Sequence, residues 1–250
     1  GHSGNDLHYR GYDILELAKE CSFEEVAFLL IHGELPNVTQ LDKYTNQLKK
    51  LRDIPAHLKT VLEQIPKDAH PMDVMRTGCS MLGILEPEAK DHNIDKTKDI
   101  ADRLISCFSS ILIYWYKFSH EGIRIDCKTD EGSIAGHFLH LLHGKTPSSL
   151  HERSMNISLI LYAEHEFNAS TFAARVITGT MSDLYSSITG AIGALRGPKH
   201  GGANEVAMEI ISRYNTPDEA EADIRMRMAK KEIIIGFGHP VYTISDPRNE

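Results

Sequence analysis

The chain has 250 residues, 41% of them hydrophobic, which is enough for one large domain or two smaller ones with a buried core. Its 27 basic and 35 acidic side chains give a net charge of −8, so the composition indicates no general affinity for nucleic acid. The most apolar run, 104–116, is shorter than the roughly 20 residues of a transmembrane helix and indicates a buried helix instead.

The cysteines are widely spaced and include no C-x-x-C pair, which indicates reduced thiols and argues against a disulfide framework or a zinc site. They are Cys21, Cys79, Cys107 and Cys127. No signal peptide is recognised at the start of the chain, so we expect a cytoplasmic protein.

Helical patterns follow one another from the first third of the chain onwards. Residues 1–12 are expected to form a loop. Ser22 and Glu25 then form a capping box for a helix that Gly33 ends. Thr39 is expected to cap the next helix, whose apolar residues recur at helical spacing.

The middle of the chain is predicted to contain a long buried helix. A helix is bracketed by Pro55 and Pro66, and Pro71 opens another at its first turn. The helix that ends near Trp115 becomes apolar on most sides, which is typical of a helix inside a protein. Residues 119–132 form a polar connector.

A short helix over 133–143 carries three histidines at intervals of three residues: His137, His140 and His143. This spacing suggests a metal site, but no carboxylate occupies a matching position. Ordinary hydrogen bonding is the stronger interpretation.

The second half of the chain continues the helical pattern. Helices are predicted to begin at or near Pro147, Ser170, Ser182, Ala203 and Thr216. The helix over 182–195 is rich in small residues, which indicates either a tight core contact or a subunit interface. With about eleven helices and at most two very short strands, the fold class is all-α.

Two glycine-rich loops stand out for their chemistry. His200 lies between Arg196 and Lys199 on one side and Gly201 and Gly202 on the other, on a sterically open turn. A second loop over 236–242 places His239 among glycines and a proline, and Arg248 follows it. Two imidazoles with guanidinium groups nearby indicate a site for an anionic substrate.

These loops resemble the two histidine motifs of the citrate synthase family, in its order and at about its spacing. The segment 8–13 resembles the N-terminal signature of that family. Three stretches most resemble the family's bacterial branch that uses propionyl-coenzyme A: 3–13, 70–78 and 163–171.

The resemblance implies a helical homodimer without a tightly bound cofactor or metal. Together with its small-residue face, this places the helix over 182–195 at the expected dimer interface. Each subunit would have a large helical domain, 1–201, and a smaller helical domain that begins at 202 and is cut short at 250. The implied reaction condenses oxaloacetate with an acyl-coenzyme A co-substrate, propionyl-coenzyme A being preferred, and then hydrolyses the thioester.

The resemblance also implies a role for each site residue. His200 would hydrogen-bond the thioester oxygen as the enol or enolate forms, and His239 would polarise the ketone of oxaloacetate. His165 and Arg248 match substrate-binding positions. Such roles suit the chemistry, because charge developing on the thioester oxygen needs a fixed donor and a dicarboxylate needs a guanidinium fork.

The family's carbon base is an aspartate well downstream of the second histidine, so the resemblance places it after Glu250. Asp246 is not expected to be that base, because in the family's pattern it belongs to the turn that holds Arg248. We therefore expect residues 1–250 alone to be inactive.

Three alternatives remain open at this stage. One is the acetyl-coenzyme A branch of the same family, since one methylene changes selectivity by only about 1–3 kcal/mol. Another is a helical protein that binds coenzyme A or a dicarboxylate without catalysis. The last is a metal-binding helical protein, suggested by the 14 histidines, although both histidine loops argue against it.

Overall fold

A computed structural model describes residues 7–88, 93–237, 242 and 245–249. In this part of the chain nearly all regular structure is α-helical, which confirms the expected all-α class. The second histidine, His239, lies outside the described residues.

Twelve α-helices are present in the described ranges. They are α1 (Ile14–Glu20), α2 (Phe23–His32), α3 (Val38–Lys50), α4 (Ala56–Glu63), α5 (Pro71–Leu85), α6 (Ile94–Tyr116), α7 (Ile134–His143), α8 (Ser149–Leu161), α9 (Ala169–Thr178), α10 (Leu184–Leu195), α11 (Ala203–Ile211) and α12 (Pro217–Ala229). A π-helical turn (Lys117–Glu121) extends α6, and a 3₁₀ turn (Pro247–Asn249) lies near the chain end.

Residues 8–13 form a short hairpin where a loop was expected over 1–12, and residues 1–6 lie outside the described residues. Strands β1 (His8–Tyr9) and β2 (Tyr12–Asp13) pair antiparallel across a turn in which Gly11 has φ +95°. Asp13 then caps α1 by accepting a hydrogen bond from the Leu15 N–H at 2.8 Å. Helix α1 was not predicted, because a seven-residue helix is too short to show a clear helical period.

The predicted helix boundaries are confirmed at most caps and wrong at one. The Ser22–Glu25 capping box opens α2, and Gly33 ends it with φ +97°. The prediction that Thr39 caps α3 is wrong, because the Asn37 side chain accepts the Gln40 N–H at 2.9 Å. Both residue types can cap a helix, and the helix begins earlier than its apolar period indicates.

The main core surrounds α6, as its apolar composition predicts. Leu104, Cys107, Ile111 and Trp115 are buried on α6. They pack with buried residues of α4, α5 and α10 in one continuous cluster. This core fixes α10, which directly precedes the turn that carries His200, and α5, whose Asp73 contacts Arg196 at the start of that turn.

Two of the three histidines of α7, His137 and His140, hydrogen-bond within the protein. His137 is fully buried between Ser110, whose Oγ lies 3.2 Å from Nε2, and Thr129, whose Oγ1 lies 3.0 Å from Nδ1. His140 Nδ1 lies 2.7 Å from Glu131 Oε1. Burial, with smaller effects of Arg52 and His140, lowers the pKa of His137 to about 3, so this imidazole is neutral in the fold.

Helix α10 packs closely against two neighbouring helices of the same chain. A Cβ added at Gly190 would lie 2.2 Å from Ile177 Cδ1 of α9. Gly83 of α5 meets Tyr185 of α10, where an added Cβ would lie 2.6 Å from the tyrosine Cβ. Gly190 therefore makes a tight contact inside the chain, and the position of α10 at a dimer interface stays a prediction.

None of the described helices is both long enough and apolar enough to span a lipid bilayer.

Candidate active site

The backbone around His200 forms a compact turn directly after α10. Arg196 caps the C-terminus of α10. The Gly197 carbonyl then accepts two hydrogen bonds, from the His200 N–H at 2.9 Å and the Gly202 N–H at 3.2 Å. The turn presents a half-buried His200 between α10 and the start of α11.

Glycine is required in this turn because backbone groups approach closely. A Cβ on Gly201 would lie 2.7 Å from the Leu195 carbonyl oxygen, and one on Gly202 would lie 2.7 Å from the Arg196 carbonyl oxygen. Gly202 has φ −61°, which any residue can adopt. The sequence therefore uses glycine here for close approach and not for a left-handed backbone.

The His200 imidazole contacts the first turn of α9. Ser170 Oγ lies 2.7 Å from His200 Nε2. Asn168 caps this helix and fixes Ser170 by accepting its N–H at 2.9 Å. Nδ1 of His200 has no hydrogen-bond partner among the described residues, so it remains available to a ligand.

His165 lies on the connection between α8 and α9 and meets the C-terminal segment. Its Nε2 is 3.0 Å from the Tyr242 hydroxyl, and the two rings are nearly perpendicular with centroids 5.6 Å apart. Tyr242 is buried. The histidine ring is therefore held by a residue far away in the sequence.

Arg248 is held in a two-point contact with Asp246. Its Nε lies 2.9 Å from Oδ1 and its Nη2 lies 2.6 Å from Oδ2. Hydrogen bonding to this carboxylate raises the pKa of Arg248 above its usual value. Asp246 engages the guanidinium through Nε and Nη2, and at the end-on edge Nη1 makes no hydrogen bond among the described residues.

Tyr162 links the two halves of this region. Its hydroxyl accepts a hydrogen bond from Asn204 Nδ2 at 3.3 Å, next to the His200 turn. The Arg248 guanidinium lies over its ring, 5.8 Å from the centroid. The segment 162–170 thus contacts both the His200 turn and the Arg248 turn.

Tyr9 of the N-terminal hairpin hydrogen-bonds the backbone at the start of the segment 162–170. Its hydroxyl donates to the Ile160 carbonyl at 2.9 Å and accepts the Glu164 N–H at 3.3 Å. Burial raises the pKa of Tyr9 to about 12. The Glu164 carboxyl is partly buried, and desolvation raises its pKa as well.

The structure thus connects three of the four predicted site residues through the segment 162–170. His165 lies in this segment, which contacts His200 through Ser170 and Arg248 through Tyr162. Sequence reasoning gave no role to Ser170, Tyr162 or Tyr242. Ser170 and Tyr242 lie inside stretches that carried the family resemblance, but neither position has a spacing that indicates its partner. The site combines imidazoles, a guanidinium and hydroxyl groups, which suits a carboxylate-bearing substrate.

The sequence profile described as citrate synthase, C-terminal domain, matches residues 1–250. The chain therefore belongs to the citrate synthase family.

Two members of this family are similar to the chain over nearly its whole length. The chain is 60% identical to a 2-methylcitrate synthase of Shewanella oneidensis, covering 100% of this chain and 66% of the relative. It is 42% identical to 2-methylcitrate synthase 2 of Corynebacterium glutamicum, covering 98% of this chain and 65% of that one. The chain thus spans just under two thirds of the length of these relatives.

A solved structure shows the same fold. It is the citrate synthase of Thermoplasma acidophilum in a ternary complex with carboxymethyl coenzyme A and oxaloacetate. The TM-score is 0.89 at 31% identity, over 97% of this chain and 64% of that one.

Proposed function

We propose that the protein condenses propionyl-coenzyme A with oxaloacetate and water, giving 2-methylcitrate and free coenzyme A. The observation that carries this proposal is the segment 162–170, which contacts both the His200 turn and the Arg248 turn. The similarity to 2-methylcitrate synthases over the whole chain supports the same reaction.

His200 is assigned to the thioester. In this scheme the Ser170 hydroxyl donates to Nε2, so the proton of the neutral imidazole is on Nδ1, and this Nδ1–H is the assigned donor to the thioester oxygen. A fixed donor aimed at that oxygen stabilises the charge that develops as the neighbouring carbon loses its proton. The glycines beside His200 leave space for the large coenzyme A group.

Oxaloacetate is assigned to His165, His239 and Arg248. Arg248 would bind one carboxylate through its end-on edge, while Asp246 keeps the guanidinium in place. His239 would polarise the ketone and protonate the alkoxide that forms there. Acyl-coenzyme A is a co-substrate in this scheme, and no resident cofactor or metal takes part.

We further propose a cytoplasmic homodimer. Four free cysteines, three of them buried, suit a reducing compartment. Helix α9 carries exposed Phe172 and Val176 at i and i+4, next to α10, and this face is assigned to the subunit contact. The large domain would comprise 1–201, and a smaller domain would begin at 202.

The preference for propionyl- or acetyl-coenzyme A distinguishes a 2-methylcitrate synthase from a citrate synthase. We expect the intact protein to release thiol from propionyl-coenzyme A with a higher kcat/KM than from acetyl-coenzyme A. A thiol-release assay at saturating oxaloacetate measures both values. An equal or higher kcat/KM with acetyl-coenzyme A would assign the protein as a citrate synthase.

A further inference from the structure

Two side-chain contacts join the N-terminal end of α5 to the two ends of the His200 turn. Arg196, before the turn, places Nε 3.0 Å from Asp73 Oδ1. Glu205, after the turn, has its carboxylate 2.9 Å from His70 Nε2. The residues between Arg196 and Glu205 are therefore tied at both ends to a single helix terminus.

The neighbours of His70 determine which ring nitrogen carries the proton when the imidazole is neutral. His70 is the N-cap of α5, and its Nδ1 accepts the Met72 N–H at 3.1 Å. In a neutral imidazole the proton must then be on Nε2, which donates it to Glu205. This contact therefore forms with a neutral histidine as well as with a charged one.

Helix α5 is a rigid support for these contacts. It packs in the main core through Val74 and Cys79, both fully buried. Asp73 is also fixed by Arg76, whose Nη2 lies 3.0 Å from the same Oδ1 that Arg196 contacts. Moving the His200 turn would break the Arg196–Asp73 and Glu205–His70 contacts, because the core holds α5 in place.

We propose that His70, Asp73, Arg196 and Glu205 form a clamp that positions the His200 turn. All four are assigned as positioning residues, which act on the reaction through the turn they hold. The clamp itself is a property of the fold, and only its catalytic consequence rests on the proposed function. The glycine-rich turn needs such support, because a displacement of about 1 Å at a reacting group costs on the order of 10²-fold in rate.

Amide hydrogen exchange tests the clamp without any substrate. The double variant Asp73→Ala/Glu205→Ala removes both acceptors, and Asp68→Ala/Glu209→Ala is the matched control at exposed positions. We expect the peptide over 197–204 to exchange roughly 2- to 30-fold faster in the clamp variant and unchanged in the control. Unchanged exchange in the clamp variant would overturn the proposal.

Thiol release tests the positioning role. We expect kcat to fall by about 10- to 100-fold in the clamp variant, with KM for oxaloacetate within about twofold of wild type. Glu205→Gln should retain most of the kcat that Glu205→Ala loses, because the amide oxygen still accepts the His70 proton.

The two experiments separate this proposal from the proposed function. Faster exchange with an unchanged kcat would overturn the positioning role. If the wild-type protein released no thiol, the proposed function would fail, and hydrogen exchange would still decide whether the clamp holds the turn.

Discussion

His200 depends on a side chain that is 30 positions away in the sequence. The Ser170 hydroxyl is 2.7 Å from Nε2 and holds the orientation of the imidazole. In the proposed reaction this hydroxyl would donate to Nε2, which leaves the proton of the neutral imidazole on Nδ1 for the thioester oxygen.

Ser170→Ala is therefore expected to lower kcat for thiol release by roughly 10- to 100-fold, because the imidazole loses its fixed orientation. The affinity for oxaloacetate should stay the same. Stopped-flow thiol release and calorimetry measure the two quantities, and Ser170→Thr, which keeps a hydroxyl, is the control. A wild-type kcat in Ser170→Ala would remove this residue from the account.

Asp246 holds the Arg248 guanidinium through Nε and Nη2, and the proposed oxaloacetate carboxylate would bind at its end-on edge. Truncating Arg248 to alanine should cost about 2–5 kcal/mol of oxaloacetate binding. Lysine keeps the charge but lacks the planar fork, so Arg248→Lys should also weaken binding. Calorimetry on the intact protein measures the affinity, with the exposed Arg213→Lys as a control. Equal affinity in wild type and Arg248→Lys would show that Arg248 does not bind the substrate.

At the scale of elements, buried polar groups hold the connector between α6 and α7. The Arg52 guanidinium is buried and donates to the Glu131 carbonyl at 2.7 Å and the Ser133 carbonyl at 3.0 Å. Glu24 accepts the Ile134 N–H at 2.7 Å at the start of α7. His137 lies beside this network and stays neutral, since a charged imidazole there would lack water.

This network makes stability depend on pH. The unfolded chain binds a proton at His137 below about pH 6.5, whereas the folded chain does so only near pH 3, so stability falls as the pH falls between these values. Relative to His137→Gln, wild type should lose about 2 kcal/mol more stability between pH 7 and pH 5. Urea unfolding at both pH values measures this difference, and parallel pH profiles would contradict the prediction.

The sequence predicted helices well where the capping residues and the spacing of the apolar residues indicate the same boundaries. The capping box of α2, Pro71 at the start of α5 and the buried end of α6 all follow from local rules. Helix α1 was missed because it is short, and the cap of α3 was misplaced because two adequate capping residues lie close together.

The site was predictable only in part, because some of its contacts join residues that are far apart in the sequence. Motifs identified His165, His200 and Arg248, but Ser170 and Tyr242 acquire their roles from long-range contacts. Tyr242 is 77 positions from His165, and no local spacing predicts that pair.

At the scale of the whole molecule, the proposed homodimer makes a prediction about α9. Phe172 is 64% exposed and lies on the face assigned to the partner subunit. Phe172→Glu should convert the dimer to a monomer, because a charge would be buried in an apolar contact. Leu150→Glu on α8, where Leu150 is 71% exposed, is the matched control and should remain dimeric.

Light scattering measures the mass of both variants. A Phe172→Glu protein of unchanged dimeric mass would exclude this face. Gly190 is unsuitable for the same test, because its contact with Ile177 lies inside one chain and a larger residue would separate α9 from α10 in any oligomeric state.

The central claim is that one site binds oxaloacetate and activates an acyl thioester through His200. The most direct test is thiol release from propionyl-coenzyme A by the intact protein, with and without oxaloacetate, in wild type and His200→Ala. We predict release only when oxaloacetate is present, and a roughly 10²- to 10³-fold slower chemical step in the variant. Release without oxaloacetate, or a wild-type rate in His200→Ala, would contradict the account.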